Sequence, residues 1–224
     1  MFDLVYLLSA LPRLLQFMYL TMTIAVLSML FGLVLGLVLE TAIRRKLFLL
    51  APLAKVYISF FRATPLLVQL FILYYGLPQL IPAFGEINAY WATVIGITMN
   101  CAAYLAEIIR AAIRSIEYGQ WEASQSIGMT RWQGMRRIIL PQALRIALPS
   151  FGNTFVTVVK ETSLGFTLGL TEMMAQAKLM AADTYKFLES FLAAAILYWL
   201  AAIVYGYIQS AMEKKVNRPY GHEV

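Results

Sequence analysis

Polar and ionisable side chains interrupt three long apolar runs of this sequence. In the hydrocarbon core of a bilayer such side chains are costly, so each is a candidate for binding a polar solute or lining its path. The three groups are Arg62, Thr64 and Gln69 around Pro65; Asn100, Tyr104 and Glu107; and Lys160, Glu161, Thr162 and Ser163. The chemistry they could perform is recognition of a charged or hydrogen-bonding ligand inside a membrane.

The second group should share one face of a helix. Asn100, Tyr104 and Glu107 stand at i, i+4 and i+7, and residues at this spacing lie above one another on a helix. Glu107 also precedes Arg110 by three residues, so a structural pair between these two is an alternative to ligand binding. Arg62 is expected to bind carbonyls or a carboxylate within the protein.

Glu161 is the acidic candidate in the third group. Neighbours in sequence do not face each other on a helix, so Glu161 and Lys160 must each find another partner or a wet cavity. An unpaired carboxylate deep in a bilayer costs about 2.5–3.5 kcal/mol on insertion scales, which favours a functional role for it. The hydroxyls of Thr162 and Ser163 could take part in binding or could bond to carbonyls of their own helix.

Several other kinds of chemistry have no support in the sequence. The chain has one cysteine, Cys101, and one histidine, His222. An internal disulfide therefore cannot form, and no metal site is expected. No phosphate-binding loop of the form G-x-x-x-x-G-K-[ST] occurs. We therefore expect no cofactor in this chain and no ATP hydrolysis by it.

The longest polar interruption, residues 120–141, reads as two short helices broken at Gly128. A glycine adopts the left-handed conformation that ends many helices at no steric cost. Thr130 and Gln133 then fit a capping box that opens the second helix. The alternatives are an ordinary solvated loop and a helix-turn-helix for DNA. Pro141 and the apolar run after it attach the second helix to a membrane, so no nucleic-acid partner is expected.

The composition predicts an integral membrane protein built from helices. Of the 224 residues, 61% are apolar and 13% are charged, whereas soluble domains carry roughly 25% charged residues. Residues 1–16 are amphipathic, which is typical of a short interfacial helix. Five apolar runs are long enough to cross a bilayer, and they cover residues 17–39, 53–81, 90–113, 145–170 and 189–212. Pro65 should break the second run.

The distribution of lysine and arginine predicts the orientation of these five spans. Thirteen Lys and Arg residues fall on the side that holds the polar loop, and three, Arg13, Lys178 and Lys186, fall on the other side. The side richer in Lys and Arg is normally cytoplasmic. The sequence therefore predicts an N-terminus outside, a C-terminus in the cytoplasm and a cytoplasmic polar loop.

The fixed positions of that loop resemble the EAA loop of ABC importer permeases, E-A-A-x3-G-x9-I-x-L-P. The segments FRATPLLVQ, NCAAYLAEIIRAAI, KETSL and ILPQALRIALP are similar to the permeases for polar amino acids, the histidine, glutamine, arginine and cystine group, and most of all to the cystine and arginine type. The similarity runs from about residue 21 to residue 207. The loop positions that match are Glu122, Ala123, Gly128, Ile138, Leu140 and Pro141, with Ser124 in place of the second Ala.

The resemblance implies one transmembrane domain over residues 1–224, with a cytoplasmic coupling loop at residues 114–145. In that family two permease subunits, identical or different, bind two cytoplasmic ATPase subunits, which carry the ATP and Mg²⁺. A soluble binding protein delivers the substrate from outside, and transport proceeds by alternating access across the bacterial inner membrane. The ATPase-coupling residues that it implies are Glu122, Ala123, Ser124, Gly128 and Met129.

The resemblance also implies a substrate site and a substrate class. A transported amino acid carries an ammonium group, which Glu161 could bind, and the class would be cystine or a basic amino acid such as arginine. The family often has Asp at this position, and Glu reaches one methylene further. The substrate-binding residues that it implies are Glu161, Thr162, Ser163, Asn100, Tyr104, Thr64 and Gln69.

A stand-alone channel or small secondary transporter is one alternative class, and a membrane-embedded enzyme is another. A stand-alone channel would not need a capped, glycine-broken helix pair in its loop. A secondary transporter usually carries two related halves, and no internal repeat is visible here. A membrane-embedded enzyme would need a nucleophile, metal or paired-carboxylate constellation that the chain lacks.

Overall fold

The N-terminal segment forms a short helix that packs against the C-terminal part of the chain. In the computed structural model, which describes residues 2–217, helix α1 spans Leu4–Leu15, and the Asp3 carboxylate caps it by accepting a hydrogen bond from the Tyr6 amide at 2.9 Å. The amphipathic helix expected at residues 1–16 is therefore confirmed. Its buried face, with residues three or four apart, consists of Leu7, Ala10 and Leu14.

All the other regular elements of residues 2–217 are helical as well, so the predicted all-α class is confirmed. Two π-helical turns, Ile72–Gly76 and Met135–Ile139, and two 3-10 segments, Pro82–Glu86 and Thr162–Leu168, join or extend the α-helices. The remaining α-helices are α2 (Met18–Arg44), α3 (Leu50–Ala63), α4 (Leu66–Phe71), α5 (Leu77–Leu80), α6 (Ala89–Arg114), α7 (Tyr118–Ser126), α8 (Arg131–Gly134), α9 (Leu140–Glu161), α10 (Met173–Thr184) and α11 (Phe187–Asn217).

Helices α2 and α6 form the closely packed centre of the bundle. A Cβ built on Gly36 of α2 would lie 3.1 Å from the Ala102 oxygen and 3.1 Å from the Ala106 nitrogen on α6. One turn earlier, a Cβ on Gly32 would collide with the Cys101 sulfur. The pair Gly32 and Gly36 thus lets the two backbones approach each other, as glycines four residues apart do in membrane helices.

Pro65 breaks the second apolar run, as predicted. Thr64 has extended backbone, φ −108° and ψ 147°, which is the conformation that a following proline imposes. Helix α3 and the helical run Leu66–Leu80 meet at an angle of 113°. The break leaves the last carbonyls of α3 without their helical partners, and side chains must satisfy them.

An ionic cluster holds α1 to the start of α11. The Lys186 ammonium lies 2.6 Å from the Asp3 carboxylate, and the Asp3 amide donates to the Glu189 carboxylate at 2.8 Å. The hydrogen bond from Lys186 lowers the pKa of Asp3 below its ordinary value. The Lys186 nitrogen also lies 4.6 Å from the centroid of the Tyr6 ring. This cation–π contact strengthens the attachment of α1 to the start of α11. The N-terminus of α1 is therefore tied to the N-terminus of α11.

The polar stretch before α11 contains a helix that the sequence analysis did not predict, α10. The carboxylate of Glu172 caps it by accepting from the Ala175 amide at 2.8 Å, and it also accepts a hydrogen bond from the Tyr198 hydroxyl at 3.3 Å. Glu172 is fully buried. A buried carboxylate of this kind is tolerated because its oxygens have donors.

By length and composition, three described helices can cross a membrane, α2, α6 and α11, and the bent pair around Pro65 makes a fourth candidate. Helix α9, which contains Arg145, Lys160 and Glu161, is not among them. The number of five spans and their orientation therefore stay predictions. Arg218, one of the thirteen basic residues counted on the side of the polar loop, and His222 lie outside the described residues.

Candidate functional site

A cavity of about 430 Å³ lies between α3, α6 and α9. A volume of this size suits a small-molecule ligand. A second space of about 320 Å³ shares Glu107 and Ile108 with it and continues along α6 and α9 to Ser150. The polar residues that line the larger cavity are Arg62, Asn100, Tyr104, Glu107, Asn153, Thr154, Thr157 and Glu161.

Glu107 is neutralised by two arginines. It is hydrogen-bonded to Arg110, and a guanidinium nitrogen of Arg62 lies 3.8 Å from its carboxylate. The Arg62 guanidinium carbon also lies 5.7 Å from the centre of the Tyr104 ring, within cation–π distance. The expected structural roles of Arg110 and Arg62 are therefore confirmed, and Glu107 has little negative charge left to offer a ligand.

Glu161 differs from Glu107 in having no such partner. Among the described residues no side chain or backbone group forms a hydrogen bond or an ion pair with its carboxylate, which is only partly exposed at the cavity wall. Lys160 precedes it but forms no ion pair with it, in agreement with the expectation that sequence neighbours do not face each other. The carboxylate of Glu161 is thus available to a cation that enters the cavity.

Thr64, Gln69 and Asn100 belong to one hydrogen-bonded network at the Pro65 break. The Gln69 amide nitrogen donates to the Thr64 hydroxyl at 2.8 Å and to the Phe61 carbonyl at 3.1 Å. The Asn100 amide nitrogen donates to the Gln69 oxygen at 2.9 Å and to the same Phe61 carbonyl at 3.1 Å. These bonds satisfy carbonyls that the break leaves open. Of the three side chains, only Asn100 lines the cavity. Gln69 accepts a hydrogen bond from Asn100 and donates one to Thr64, so these two hold Asn100 in place.

Thr162 and Ser163 stand at the start of the 3-10 segment that follows α9. Their hydroxyls donate to the carbonyls of Val159 at 2.8 Å and of Lys160 at 2.7 Å. Thr162 is fully buried. Neither residue lines the cavity, so of the seven predicted substrate-binding residues the structure places Glu161, Asn100 and Tyr104 on its wall.

The sequence analysis missed the polar side chains of α9 that share a face with Glu161. Asn153, Thr157 and Glu161 stand at i, i+4 and i+8, the same spacing that singled out Asn100 and Tyr104. This spacing was present in the sequence and predicts one helix face. Asn153 and Thr157 are therefore added to the candidate ligand-binding residues.

A second candidate site is the outer surface of α7 and its capped turn. Gly128 has φ +77°, and the Thr130 hydroxyl and the Gln133 side chain form the predicted capping box. Ile127 is 70% exposed, and Glu122 is exposed as well. An exposed apolar residue at the end of a short helix, next to the capped start of α8, is suited to contact with a partner protein.

Ser124 of the same helix faces inward. It is buried, and its hydroxyl donates to the Trp121 carbonyl at 2.7 Å. A Cβ built on Gly134 would lie 2.8 Å from its oxygen. A small residue is thus needed at this position for close packing of α7 against α8, and not for the approach of a partner.

Comparison with known proteins places this chain among transport proteins. Residues 32–218 match the family described as the binding-protein-dependent transport system inner membrane component. This match covers most of the chain, so the chain belongs to that family. It is accordingly a transport component and not an enzyme, and the resemblance to ABC importer permeases is confirmed.

The similar individual proteins are amino-acid permeases or transporters by name. The probable amino-acid ABC transporter permease protein PatM of Vibrio harveyi is 50% identical over 219 residues, which is 98% of each chain. The probable amino-acid permease protein YxeN of Bacillus subtilis (strain 168) is 48% identical over 96% of each chain. A crystal structure of an amino acid ABC transporter with histidines superposes with a TM-score of 0.88 at 32% identity, covering 96% of this chain and 99% of that one.

Proposed function

We propose that this chain is the permease of an ATP-driven importer of polar amino acids, with the cavity between α3, α6 and α9 as part of the substrate path. The observation that carries the proposal is the contrast between the two acids of the cavity. Glu107 is paired with arginines, whereas Glu161 has no partner among the described residues. An amino acid brings an ammonium group that such a carboxylate can bind by a charge-assisted hydrogen bond.

The names of relatives support the amino-acid class and suggest two substrates. An L-cystine transport system permease protein, TcyL, is 39% identical over 92% of this chain, and an arginine transport system permease protein, ArtQ, is 36% identical over 92% of it, both from Bacillus subtilis (strain 168). Arginine and cystine each carry two cationic groups. Arginine has an α-ammonium and a guanidinium, and cystine has two α-ammonium groups. We therefore propose cystine or a basic amino acid as the substrate.

The proposed assembly is a bacterial inner-membrane complex of two permease subunits, two cytoplasmic ATPase subunits and an external binding protein. The permease has five spans, with its N-terminus outside and the polar loop inside, in line with the distribution of Lys and Arg. Glu122, Ala123, Gly128 and Met129 contact the ATPase, while Ser124 positions them through its contact with Gly134. ATP and Mg²⁺ belong to the ATPase.

Alternating access requires that movement at the loop reach the cavity. Helix α8, the π-helical turn Met135–Ile139 and α9 follow one another without an intervening loop, and α9 ends at Glu161. One helical run thus connects the ATPase surface to the substrate cavity. We propose that closure of the ATPase dimer moves this run as a unit, which gives the coupling an element with two positions.

The test is uptake by the reconstituted complex with Glu161→Gln, which removes the charge and keeps the size. Loss of one charge-assisted hydrogen bond of about 1.5–3 kcal/mol should weaken substrate affinity about 10- to 100-fold. Glu161→Asp should retain most of the uptake. The matched control is Glu86→Gln, a carboxylate in the 3-10 segment Pro82–Glu86 outside the cavity.

The proposal requires that assembly and basal ATP hydrolysis persist in Glu161→Gln. Unchanged substrate affinity in this variant would remove Glu161 from the site. A complex that no longer assembles would assign Glu161 a structural role. If no ATPase co-purifies with the wild-type chain under mild conditions, the chain would instead be a stand-alone channel.

A further inference from the structure

A basic groove of about 580 Å³ lies apart from the substrate cavity, where α2 and α6 end against the polar loop. Two arginines from distant parts of the sequence line it, Arg45 at the end of α2 and Arg131 at the start of α8. The indoles of Trp121 and Trp132 and the side chain of Ile113 supply its other walls. We call it the Arg45 groove.

The positive charge of the Arg45 groove is not balanced from within. Arg44, which also lines it, is paired with Glu40 at 3.0 Å. Among the residues that the structure describes, the guanidinium groups of Arg45 and Arg131 have no ion-pair or hydrogen-bonding partner, and no carboxylate lines the groove. Favourable interaction with a helix C-terminus accounts for an arginine at the end of α2. It does not account for a second arginine from α8 on the same groove.

The surroundings place the groove at the boundary between acyl chains and water. Directly after Arg45 the chain exposes Phe48 by 90% and Leu49 by 68%. On α2, one to two turns before the groove, Val38 is 57% exposed. Apolar surface of this extent beside a membrane-spanning helix belongs against lipid. The two indoles fit the same depth, because Trp is enriched where headgroups begin.

We propose that the Arg45 groove binds the headgroup of an anionic phospholipid. The guanidinium groups of Arg45 and Arg131 pair with its phosphate, since the planar arginine fork matches phosphate geometry. The indoles of Trp121 and Trp132 hold the glycerol region, and the acyl chains lie along Phe48 and the exposed face of α2. Basic pockets between membrane helices are suited to such headgroups. The lipid thereby bridges α2 and the polar loop.

The experiment measures which lipids the full-length chain retains. The protein is exchanged into nanodiscs of phosphatidylcholine containing a minor share of phosphatidylglycerol, and retained lipids are quantified by native mass spectrometry. Wild type should retain phosphatidylglycerol in preference to phosphatidylcholine. Each arginine near a charged headgroup contributes about a fivefold preference, so Arg45→Gln/Arg131→Gln should lower the preference about 25-fold.

Two further variants control the measurement. Arg45→Lys/Arg131→Lys keeps the charge but not the planar fork, so its preference should lie between those of wild type and the double glutamine variant. Lys214→Gln/Lys215→Gln removes two charges from the last turn of α11, outside the groove, and should leave the preference unchanged.

Three results would overturn the proposal. In the first, the double glutamine variant retains phosphatidylglycerol as well as wild type does. In the second, millimolar inorganic phosphate displaces the lipid, which would make the groove a site for free anions. In the third, the double glutamine variant retains the lipid but loses its ATPase, which would make the groove a protein contact.

Discussion

The close approach of α2 and α6 can be tested by two alanine substitutions that differ only in their surroundings. Gly36 faces α6, where its missing Cβ would lie 3.1 Å from two backbone atoms and 3.1 Å from the Cβ of Leu105. Around Gly206 in α11, no atom of the described residues outside its own stretch of helix lies within 4 Å of the missing Cβ. Both glycines lie inside a helix, so Gly36→Ala and Gly206→Ala gain the same helix propensity.

The expected difference follows from these distances. Replacing Gly by Ala inside a helix stabilises it by about 0.8–1.0 kcal/mol. At Gly36 the added methyl group forces two backbones apart, and overpacking of this kind costs about 1–3 kcal/mol. Gly206→Ala should therefore raise the free energy of unfolding slightly, and Gly36→Ala should give a value about 1–3 kcal/mol lower than Gly206→Ala.

The assay is thermal unfolding of the purified chain in one detergent, followed by loss of the monodisperse peak in size-exclusion chromatography. For a chain of this length about 1 kcal/mol corresponds to roughly 2–4 °C in Tm. Gly36→Ala should therefore melt about 2–12 °C below Gly206→Ala, and the bulkier Gly36→Leu should fall further. Equal melting temperatures for the two alanine variants would refute the inferred packing of α2 against α6.

Two further predictions concern the polar loop. Gly128→Val should lower uptake per ATP hydrolysed, because φ +77° at Gly128 is strained for other residues, most of all β-branched ones. Asn and Asp adopt this conformation more easily, so Gly128→Asn should be milder, and Gly128→Asp tests mainly the added charge at the proposed contact. Normal coupled uptake by Gly128→Val would count against the proposed ATPase contact. For orientation, a cysteine at Asp183 should react in intact cells with a membrane-impermeant reagent and one at Arg131 should not, both in a Cys101→Ala background; the opposite pattern would reverse the proposed topology.

The strain expected in the Gly128 variants comes from the backbone conformation and not from a lack of space. A close-packed turn would reject any side chain by its volume. Among the described residues, however, no atom beyond the two chain neighbours lies within 4 Å of a Cβ built on Gly128. The constraint is therefore the backbone conformation, and in the proposed complex the surface of the ATPase would add to it.

Features that depend on local chemistry could be predicted well. Pro65 breaks a helix because it lacks an amide proton and restricts the residue before it. The capping box at Thr130 and Gln133 forms between residues three apart, and the pair of Glu107 and Arg110 needs only one helix. The sequence pattern contained each of these because the interacting groups belong to one turn of the chain.

The candidate site could be predicted only in part. The polar groups in apolar runs directed attention to α3, α6 and α9, which all line the cavity. The sequence pattern did not distinguish Glu161, which has no partner among the described residues, from Glu172, which is buried and hydrogen-bonded. It also assigned Gln69 and Thr64 to substrate binding, although both form hydrogen bonds at the Pro65 break and neither lines the cavity.

By itself the sequence determined the all-helical membrane class, the positions of helix breaks and caps, and the membership of a transport family. Composition and contacts within a turn are sufficient for the class, the breaks and the caps, and the resemblance of short motifs indicates the family, because none of these needs knowledge of which helix packs against which. The tertiary structure alone decided that Asn100 meets Gln69, that Ser124 fills the space beside Gly134, and that Arg45 and Arg131 share a groove. Those pairings join residues far apart in the chain, and the packing of whole helices sets them.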